Sequence, residues 1–245
     1  MMLNIIGIGL NDEKDITVKG LELVQASDYI YLENYTSKLQ VPITNLETLY
    51  NKKIILAERE FVEDGKEIIK QAKESNVSLL IIGDPFSATT HLSLLQQAKE
   101  NNIQINIINN ASVLTAVGII GLELYKYGKT TSIPFHNENV ETPYNVIKDN
   151  KPLHTLCLLD LTPKEDKFME AKEAIDFLLN IEAKRKENVI TPDTKVVVCA
   201  QLGGKPTILY TEAKNVKNLN LYPQCLIIPG NLHFVEEEFL NKFII

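Results

Sequence analysis

An apolar run followed by a glycine-containing loop occupies residues 3–12: Leu3-Asn4-Ile5-Ile6-Gly7-Ile8-Gly9-Leu10-Asn11-Asp12. Only Asn4 and Gly7 interrupt the apolar residues up to Ile8, and such a short run is typical of a strand buried on both faces. Strands of this kind belong to parallel sheets, whose crossover helices cover both sides. The run therefore predicts the first strand of an α/β sheet, with the loop at its carboxyl end.

Strands and helices continue to alternate as far as residue 108. The apolar pattern predicts strands at 3–8, 29–32, 54–57, 77–82 and 103–108, and helices at 17–26, 63–75 and 92–99. Thr17 is suited to cap the first helix. Because a strand–helix–strand crossover joins parallel strands, residues 1–112 are predicted to form an N-terminal α/β domain with a mainly parallel sheet.

The pattern changes after residue 112. The sequence predicts a long apolar helix at 112–125, with Ser112 as its N-cap and Gly128 able to end it. Strands are predicted at 131–135, 154–161, 195–201, 207–210 and 224–228. Helices are predicted at Thr142-Pro143, with Thr142 as the N-cap and Pro143 at the first position, and at 168–184 and 235–243. Hairpin-like and helix-crossed strands are mixed here. Residues 113–245 are therefore predicted to form a second α/β domain with a mixed sheet, the boundary lying between about 110 and 130.

Charge and composition exclude several classes of protein. The 25 Lys and Arg against 32 Asp and Glu give a net charge of −7, which argues against a sequence-independent nucleic-acid binder. The hydrophobic content of 44% is that of a globular protein. The sequence contains no apolar run of 18 residues and no convincing signal peptide, so we expect no membrane span and a cytoplasmic location.

The cysteines do not suggest a metal site. Cys157, Cys199 and Cys225 are far apart, each within an apolar stretch, and no CxxC or HxxxH spacing occurs. They are predicted to be buried, reduced thiols in strands.

Three loops follow predicted strands at positions where ligands of open α/β sheets bind, namely 7–12, 83–90 and 109–112. The second loop holds Asp84 beside a stiffening proline, and hydroxyls on Ser87, Thr89 and Thr90. Together the loops favour a nucleoside-like ligand lying against backbone amides. Each loop also has a purely structural interpretation: glycines for a tight turn, Asp84 and Thr90 as caps, and Ser112 as a plain helix cap.

Other patterns carry less information. The first loop lacks the third glycine of the GxGxxG fingerprint, because position 12 is Asp. His91 is expected to begin a helix without a chemical role. The glutamates at 236–238 are expected to form a solvated first turn that suits the helix dipole. No Ser–His–Asp or Cys–His arrangement is evident.

Several segments in order along nearly the whole chain resemble the diphthine synthase family of the tetrapyrrole methylase superfamily. The elements Tyr35-Thr36-Ser37 and Ala88-Thr89-Thr90-His91 are specific to that family, whereas Gly83-Asp84-Pro85 is shared by the superfamily. The other matching segments include Ile6-Gly7-Ile8-Gly9-Leu10, Asp15-Ile16-Thr17-Val18-Lys19-Gly20-Leu21-Glu22, Glu33-Asn34, Asn109-Asn110-Ala111-Ser112, Ala116-Val117-Gly118, Gly121-Leu122, Leu124-Tyr125-Lys126-Tyr127-Gly128-Lys129, His154-Thr155-Leu156-Cys157-Leu158-Leu159-Asp160 and Pro229-Gly230-Asn231-Leu232-His233-Phe234-Val235-Glu236.

The resemblance implies a homodimer of two-domain subunits with S-adenosylmethionine in the cleft between the domains. It implies that the enzyme repeatedly methylates the amine of a 3-amino-3-carboxypropyl group on a histidine of translation elongation factor 2. It implies no metal, no membrane and no direct contact with nucleic acid. The family's cofactor contacts fall on Leu10, Asp84, Ser87, Ser112, Val113, Leu159, Leu202 and Gln224.

Methyl transfer to an amine sets the demands on such a site. The cofactor carries the activated methyl, so the protein supplies orientation and a dry site. The amine must lose a proton before it can attack. Glu33 and Asp160 are possible proton acceptors by residue type, but the sequence identifies no general base. Tyr35 and Phe86 are either rings that face a cation or ordinary core aromatics.

Three alternatives remain. One is another superfamily methyltransferase acting on a corrinoid precursor or ribosomal RNA. Another is a non-catalytic nucleotide-binding module. The last is a nicotinamide enzyme of the Rossmann type, which the broken glycine pattern disfavours.

Overall fold

Two α/β units make up the chain, Met1–Val113 and Leu114–Ile245. The computed structural model describes residues 1–87 and 91–244, so Ala88, Thr89 and Thr90, predicted above as part of the second loop, lie outside the described residues.

The first unit alternates strands and helices as its apolar pattern predicts. Its strands are β1 (Met2–Gly7), β2 (Tyr29–Glu33), β3 (Ile55–Ala57), β4 (Asn76–Ile81) and β5 (Gln104–Ile108). Its helices are α1 (Val18–Gln25), α2 (Ile43–Tyr50), α3 (Arg59–Asp64), α4 (Lys66–Ala72) and α5 (Leu92–Glu100). The Thr17 hydroxyl accepts a hydrogen bond from Gly20 N at 3.0 Å, so the predicted cap of α1 is confirmed.

All strand pairs of the first sheet are parallel, in the order β3-β2-β4-β1-β5. Side chains of the strands alternate between two apolar clusters, with Leu3 and Ile5 in one and Ile6 and Ile8 in the other. Helices α3, α4 and α5 contribute to the first cluster and α1 and α2 to the second, so both faces are covered. Each such side chain stabilises the fold by roughly 1.5–3 kcal/mol when fully buried. The predicted parallel α/β sheet is confirmed.

A buried polar network fixes the register of the central strands. Asn4 is opposite Ser78 on one side and Asn106 on the other. Its amide donates to Ser78 Oγ at 3.2 Å and accepts from Asn106 Nδ2 at 2.9 Å, while Ser27 Oγ lies 2.7 Å from Ser78 Oγ. A slip of one residue would leave these buried groups unpaired, which is costly.

Two details of the first unit differ from expectation. The single helix expected at 63–75 is two helices, because Gly65 adopts a left-handed φ of 67° between α3 and α4. Helix α2 was not predicted, since its two threonines and asparagine favour other conformations. Leu46 and Tyr50, four residues apart and fully buried, provide the helical signal there.

The second unit contains a mixed sheet and more irregular connections. Helix α6 (Val113–Ala116) begins at the division between the units. The strands are β6 (Thr131–Ile133), β7 (Thr155–Leu159), β8 (Leu161–Thr162), β9 (Lys167–Phe168), β10 (Lys195–Ala200), β11 (Thr207–Glu212) and β12 (Gln224–Ile228). The helices are α7 (Thr142–Asn150), α8 (Ala171–Arg185) and α9 (Phe234–Leu240). Short 3₁₀ turns occur at Val117–Ile120, Leu124–Lys126, Pro163–Glu165, Ala213–Asn215 and Asn241–Phe243.

The second sheet has the order β11-β10-β12-β7-β6. Strands β6 and β7 are parallel and the other pairs are antiparallel, so the predicted mixed sheet is confirmed. Cys157, Cys199 and Cys225 are free, buried and on β7, β10 and β12, and Cys199 is directly opposite Cys225. The prediction of buried thiols in strands is therefore confirmed as well.

The prediction of a long helix at 112–125 is wrong. Helix α6 has four residues and leads into a 3₁₀ turn that ends at Gly121, which has a left-handed φ of 84°. A Cβ at Gly121 would lie 2.4 Å from the Phe239 ring, so only glycine leaves room for that ring at the turn. The helix near Thr142 begins with that residue rather than being capped by it, because Glu141 is its N-cap.

Glu236 is buried rather than solvated, in contrast to the expectation for residues 236–238. Its carboxylate accepts hydrogen bonds from Glu123 N at 3.0 Å, His233 N at 2.8 Å and His154 Nε2 at 3.1 Å, and it also pairs with Lys126. Burial opposes ionisation, but these contacts prevail and lower the pKa of Glu236 to about 2. The first turn of α9 is therefore an anchor for two other segments of the unit. Glu237 and Glu238 are exposed.

No helix within residues 1–87 and 91–244 is long and apolar enough to cross a bilayer.

A second buried glutamate holds the loop after α8. Glu182 Oε1 accepts from Asn188 N at 2.8 Å, and Oε2 accepts from Tyr144 Oη and Val189 N, both at 2.8 Å. Burial raises its pKa, but these bonds and one from Ile190 N outweigh burial and lower the pKa to about 2. Since the folded pKa is depressed from 4.5, this carboxylate stabilises the fold above that pH. Its contribution is lost as the pH falls from there towards 2.

Replacing Glu182 by Gln should destabilise the protein at pH 7 by about 2 kcal/mol, because an amide presents N–H groups to N–H donors. Urea unfolding followed by circular dichroism measures the difference from wild type, which should shrink at pH 3. The exposed Glu165 is the matched control, and Glu165→Gln should change stability little. A difference that does not depend on pH would contradict the assigned role of the charge.

Candidate functional site

The loops after β1 and β4 touch through their backbones. Gly83 N donates to Gly9 O at 2.7 Å, and the two residues form an isolated bridge. Both have left-handed φ values, 80° for Gly9 and 90° for Gly83. A Cβ on Gly7 would lie 2.5 Å from Gly83 O. The glycines are therefore required for the two loops to approach this closely.

Asp84 links the second loop to the third. Its Oδ1 accepts from Phe86 N and Ser87 Oγ, each at 3.0 Å, within its own loop. Its Oδ2 accepts from Asn109 Nδ2 at 3.0 Å and Asn110 N at 3.1 Å in the loop after β5. Four donors occupy the roughly four acceptor positions of a carboxylate.

The charge of Asp84 is maintained by these contacts. Partial burial opposes ionisation, but the hydrogen bonds from Asn109, Phe86 N, Asn110 N and Ser87 outweigh it and lower the pKa of the carboxyl. The loop cluster therefore carries a negative charge at neutral pH.

Asn110 and Asp15 complete the connections, although neither was among the predicted site residues. The Asn110 amide donates to Gly7 O at 3.0 Å and to Asp15 O at 2.9 Å. Asp15 Oδ2 in turn accepts from Leu10 N at 3.2 Å and Asn11 N at 2.8 Å. The backbone of the first loop is held from both sides.

The joined loops leave a small space above Gly83. A methyl group placed on this glycine would meet Leu10 Cδ2 at 3.5 Å and Ala111 O at 3.7 Å, which are ordinary contact distances. The backbone of Gly83 thus forms the floor of a recess bounded by the first and third loops. Residues 7–12, 83–87 and 109–112, hereafter the loop cluster, form this recess.

The structure brings together the predicted residues of the first unit. Leu10, Asp84 and Ser87 belong to the loop cluster and are partly exposed. Ser112 is buried and directly precedes Val113, the first residue of α6.

The predicted residues of the second unit also lie together, at one end of its sheet. Leu159 is the last residue of β7 and Gln224 the first of β12, and Cys225 pairs with Leu158 beside them. Gln224 also pairs with Ala200, the last residue of β10, and Leu202 follows two residues later.

Both the oxygen and the nitrogen of the Gln224 amide form hydrogen bonds within the second unit. Its Oε1 accepts from Ala171 N at 2.9 Å, and its Nε2 donates to Glu170 Oε2 at 2.8 Å and Leu221 O at 2.9 Å. A ligand would therefore meet the backbone of this residue or the surface that the side chain supports.

A buried Glu–His pair lies at the carboxyl end of β2 and was not predicted as a pair. Glu33 is 0% exposed and His91 is 2% exposed, and His91 Nε2 lies 2.5 Å from Glu33 Oε2. The Thr36 hydroxyl donates to the other carboxylate oxygen. Both residues belong to segments that match the family, which was the available signal, but their pairing depends on the fold.

Three other residues considered from sequence have structural neighbours. Tyr35 and Phe86 pack against the apolar core of the first unit, and the Arg59 guanidinium lies 4.9 Å from the Tyr35 ring centre. This supports their interpretation as core aromatics. Burial and then the charge of Glu33 raise the pKa of Tyr35. Asp160 accepts from Phe135 N and Leu161 N, both at 2.9 Å, in the second unit.

Among the described residues, no three His, Cys, Asp or Glu side chains are grouped so as to hold a metal ion.

Most of the chain matches a known protein family. Residues 2–213 match the model of the Tetrapyrrole (Corrin/Porphyrin) Methylases. A diphthine synthase of Methanococcus maripaludis is 45% identical over 98% of this chain and 98% of its own. A protein of Arabidopsis thaliana named "probable diphthine methyl ester synthase" is 42% identical over 99% of this chain and 98% of its own.

Solved structures give the same result. A crystal structure of a diphthine synthase has a TM-score of 0.91 and 34% identity, covering 100% of this chain and 96% of that one. The resemblance inferred from the sequence motifs is confirmed. The chain therefore belongs to the tetrapyrrole methylase family and, within it, to the diphthine synthases.

Proposed function

We propose that the chain is an S-adenosylmethionine-dependent methyltransferase of diphthamide biosynthesis. In this proposal it repeatedly methylates the amino group of the 3-amino-3-carboxypropyl-histidine of translation elongation factor 2. The observation that carries the proposal is similarity to relatives named diphthine synthase over 98% of the chain. A homodimer in the cytoplasm is part of the proposal, on the basis of the family resemblance.

The loop cluster fits an S-adenosyl cofactor. The recess above Gly83 admits a ligand to the backbone, and only glycine leaves it open. We assign cofactor binding in the first unit to Leu10, Asp84, Ser87, Ser112 and Val113. The ionised Asp84 lies in this cluster, and a fixed negative charge favours a sulfonium cation.

Cofactor contacts are also proposed for Leu159, Leu202 and Gln224 of the second unit, which share one end of its sheet. Because the Gln224 amide forms hydrogen bonds with Ala171 N, Glu170 and Leu221 O, its proposed role is to hold this end of the sheet in place.

S-adenosylmethionine, when bound, supplies a methyl group activated by its positive sulfur. The chain's own contribution is orientation. Asp84 fixes the second loop to the third, and Asn110 fixes the third loop to the first, so the backbone groups around the recess are arranged before a ligand arrives. The acceptor amine must lose a proton before each transfer.

Binding of the reaction product tests the cofactor class. S-adenosylhomocysteine should raise the melting temperature in proportion to the logarithm of its concentration, because it binds only the folded chain. NAD at the same concentrations should leave the melting temperature unchanged. Differential scanning calorimetry gives both results. Stabilisation by NAD alone would support a nicotinamide enzyme instead.

Transfer of labelled methyl groups tests the activity. Elongation factor 2 that carries the aminocarboxypropyl group should become labelled, and elongation factor 2 that lacks the group is the control. Mass spectrometry of the modified peptide should show three methyl groups on the amine. A further methyl that mild alkali removes would be an ester and would match the Arabidopsis relative. Cofactor binding without any transfer would favour a non-catalytic module.

The variant Asp84→Asn tests the loop cluster. It turns an N–H group towards the Asn109 and Asn110 donors, so affinity for S-adenosylhomocysteine should fall by about 1.5–3 kcal/mol, or roughly ten- to a hundredfold in Kd. Isothermal titration calorimetry measures this change.

Asp28 provides the matched control for that variant. Its Oδ2 accepts from Asn76 N at 2.9 Å, and Asn76 begins β4, so the contact is at the opposite end of the sheet. Asp28→Asn should lower stability without changing the affinity. Equal losses of affinity in the two variants would mean that Asp84 acts only through overall stability.

A further inference from the structure

The buried pair of Glu33 and His91 connects β2 to the loop that contains Asp84 and Pro85. Glu33 is the last residue of β2, and His91 directly precedes α5. On its other side, His91 Nδ1 lies 3.1 Å from Pro85 O, inside the loop cluster. One imidazole ring therefore contacts both the strand end and the loop that contains Asp84.

Two oxygen atoms of the described residues lie close to the ring. A carbonyl oxygen can only accept, so Nδ1 must carry a hydrogen to bond Pro85 O. Nε2 lies 2.5 Å from Glu33 Oε2. The ring is therefore placed between a carboxyl group at the strand end and a loop carbonyl to which it can donate.

A fold has little reason to retain such a pair for stability alone. Burying a carboxyl group and an imidazole is costly, and apolar residues of similar volume often stabilise a core as well or better. Glu33 and His91 are nevertheless almost completely buried, and the Thr36 hydroxyl donates to the second carboxyl oxygen of Glu33. What the ring offers here is a fixed donor to the Pro85 carbonyl.

We infer that Glu33 and His91 are positioning residues that hold the loop of Asp84 and Pro85 in its cofactor-binding conformation. The inference rests on the proposed function, since it takes the loop cluster as the cofactor site. Glu33 orients the ring, and the ring holds the Pro85 carbonyl. Neither side chain contacts the reacting atoms.

Two double variants separate positioning from stability. Glu33→Gln with His91→Asn removes the carboxyl group and the imidazole but keeps an amide near the place of Nδ1, where it can donate to Pro85 O. Glu33→Gln with His91→Leu removes the carboxyl group, the imidazole and that donor. The Leu variant should bind S-adenosylhomocysteine about tenfold more weakly than wild type, and the Asn variant should recover most of the loss. Titration calorimetry is done well below the melting temperature of each protein.

Tyr31→Phe is the matched control in the same strand. It removes the 2.8 Å hydrogen bond from Tyr31 Oη to Gln71 Oε1, and Tyr31 belongs to the apolar cluster that contains Leu3 and Ile5. The variant should therefore lower stability and leave the affinity for S-adenosylhomocysteine unchanged. If wild type binds S-adenosylhomocysteine but the Asn and Leu variants bind it with equal affinity, the inference is overturned. A wild-type protein that does not bind would instead contradict the proposed function, and the inference with it.

Discussion

The contact between the Gly9 and Gly83 backbones is the constraint on which the candidate site depends. Gly83 N and Gly9 O are 2.7 Å apart because both residues adopt left-handed φ values, which glycine does readily, and because Gly7 has no Cβ to collide with Gly83 O. Once the loops meet, the ends of β1 and β4 have a single arrangement, and Asn110 can reach Gly7 O from the third loop. The parallel register beneath them, fixed by Asn4 between Ser78 and Asn106, brings the three strand ends to the same level.

Buried or partly buried carboxylates hold the irregular segments in both units. Asp84 gathers donors from two loops, Glu182 those of the loop after α8, and Glu236 those of two distant segments. In each case backbone N–H groups are among the donors to the carboxylate, and the pKa is lowered despite burial. Loops have few apolar side chains with which to pack, so a carboxylate that satisfies several donors is an efficient alternative.

Much of the fold and part of the site could be predicted because they depend on local patterns. Apolar runs located the main strands, and the rule that ligands bind at the carboxyl ends of strands selected the loops that contain Asp84 and Ser112. Helix lengths failed at Gly65 and Gly121, because a left-handed φ depends on what packs nearby and not on apolar periodicity. Glu236 and the Glu33–His91 pair could not be identified, since burial of a charge is decided by partners far away in the sequence.

All three cysteines of the chain lie in the sheet of the second unit, and the first unit has none. Burial raises the pKa of the Cys157 thiol, and the contact with Cys225 together with burial raises that of Cys199. Because alkylating reagents attack thiolates, these sulfurs can react only when the strands separate. The rate of alkylation under native conditions is thus a natural reporter of local unfolding in one half of the molecule, and it allows the opening of this sheet to be followed without an added label.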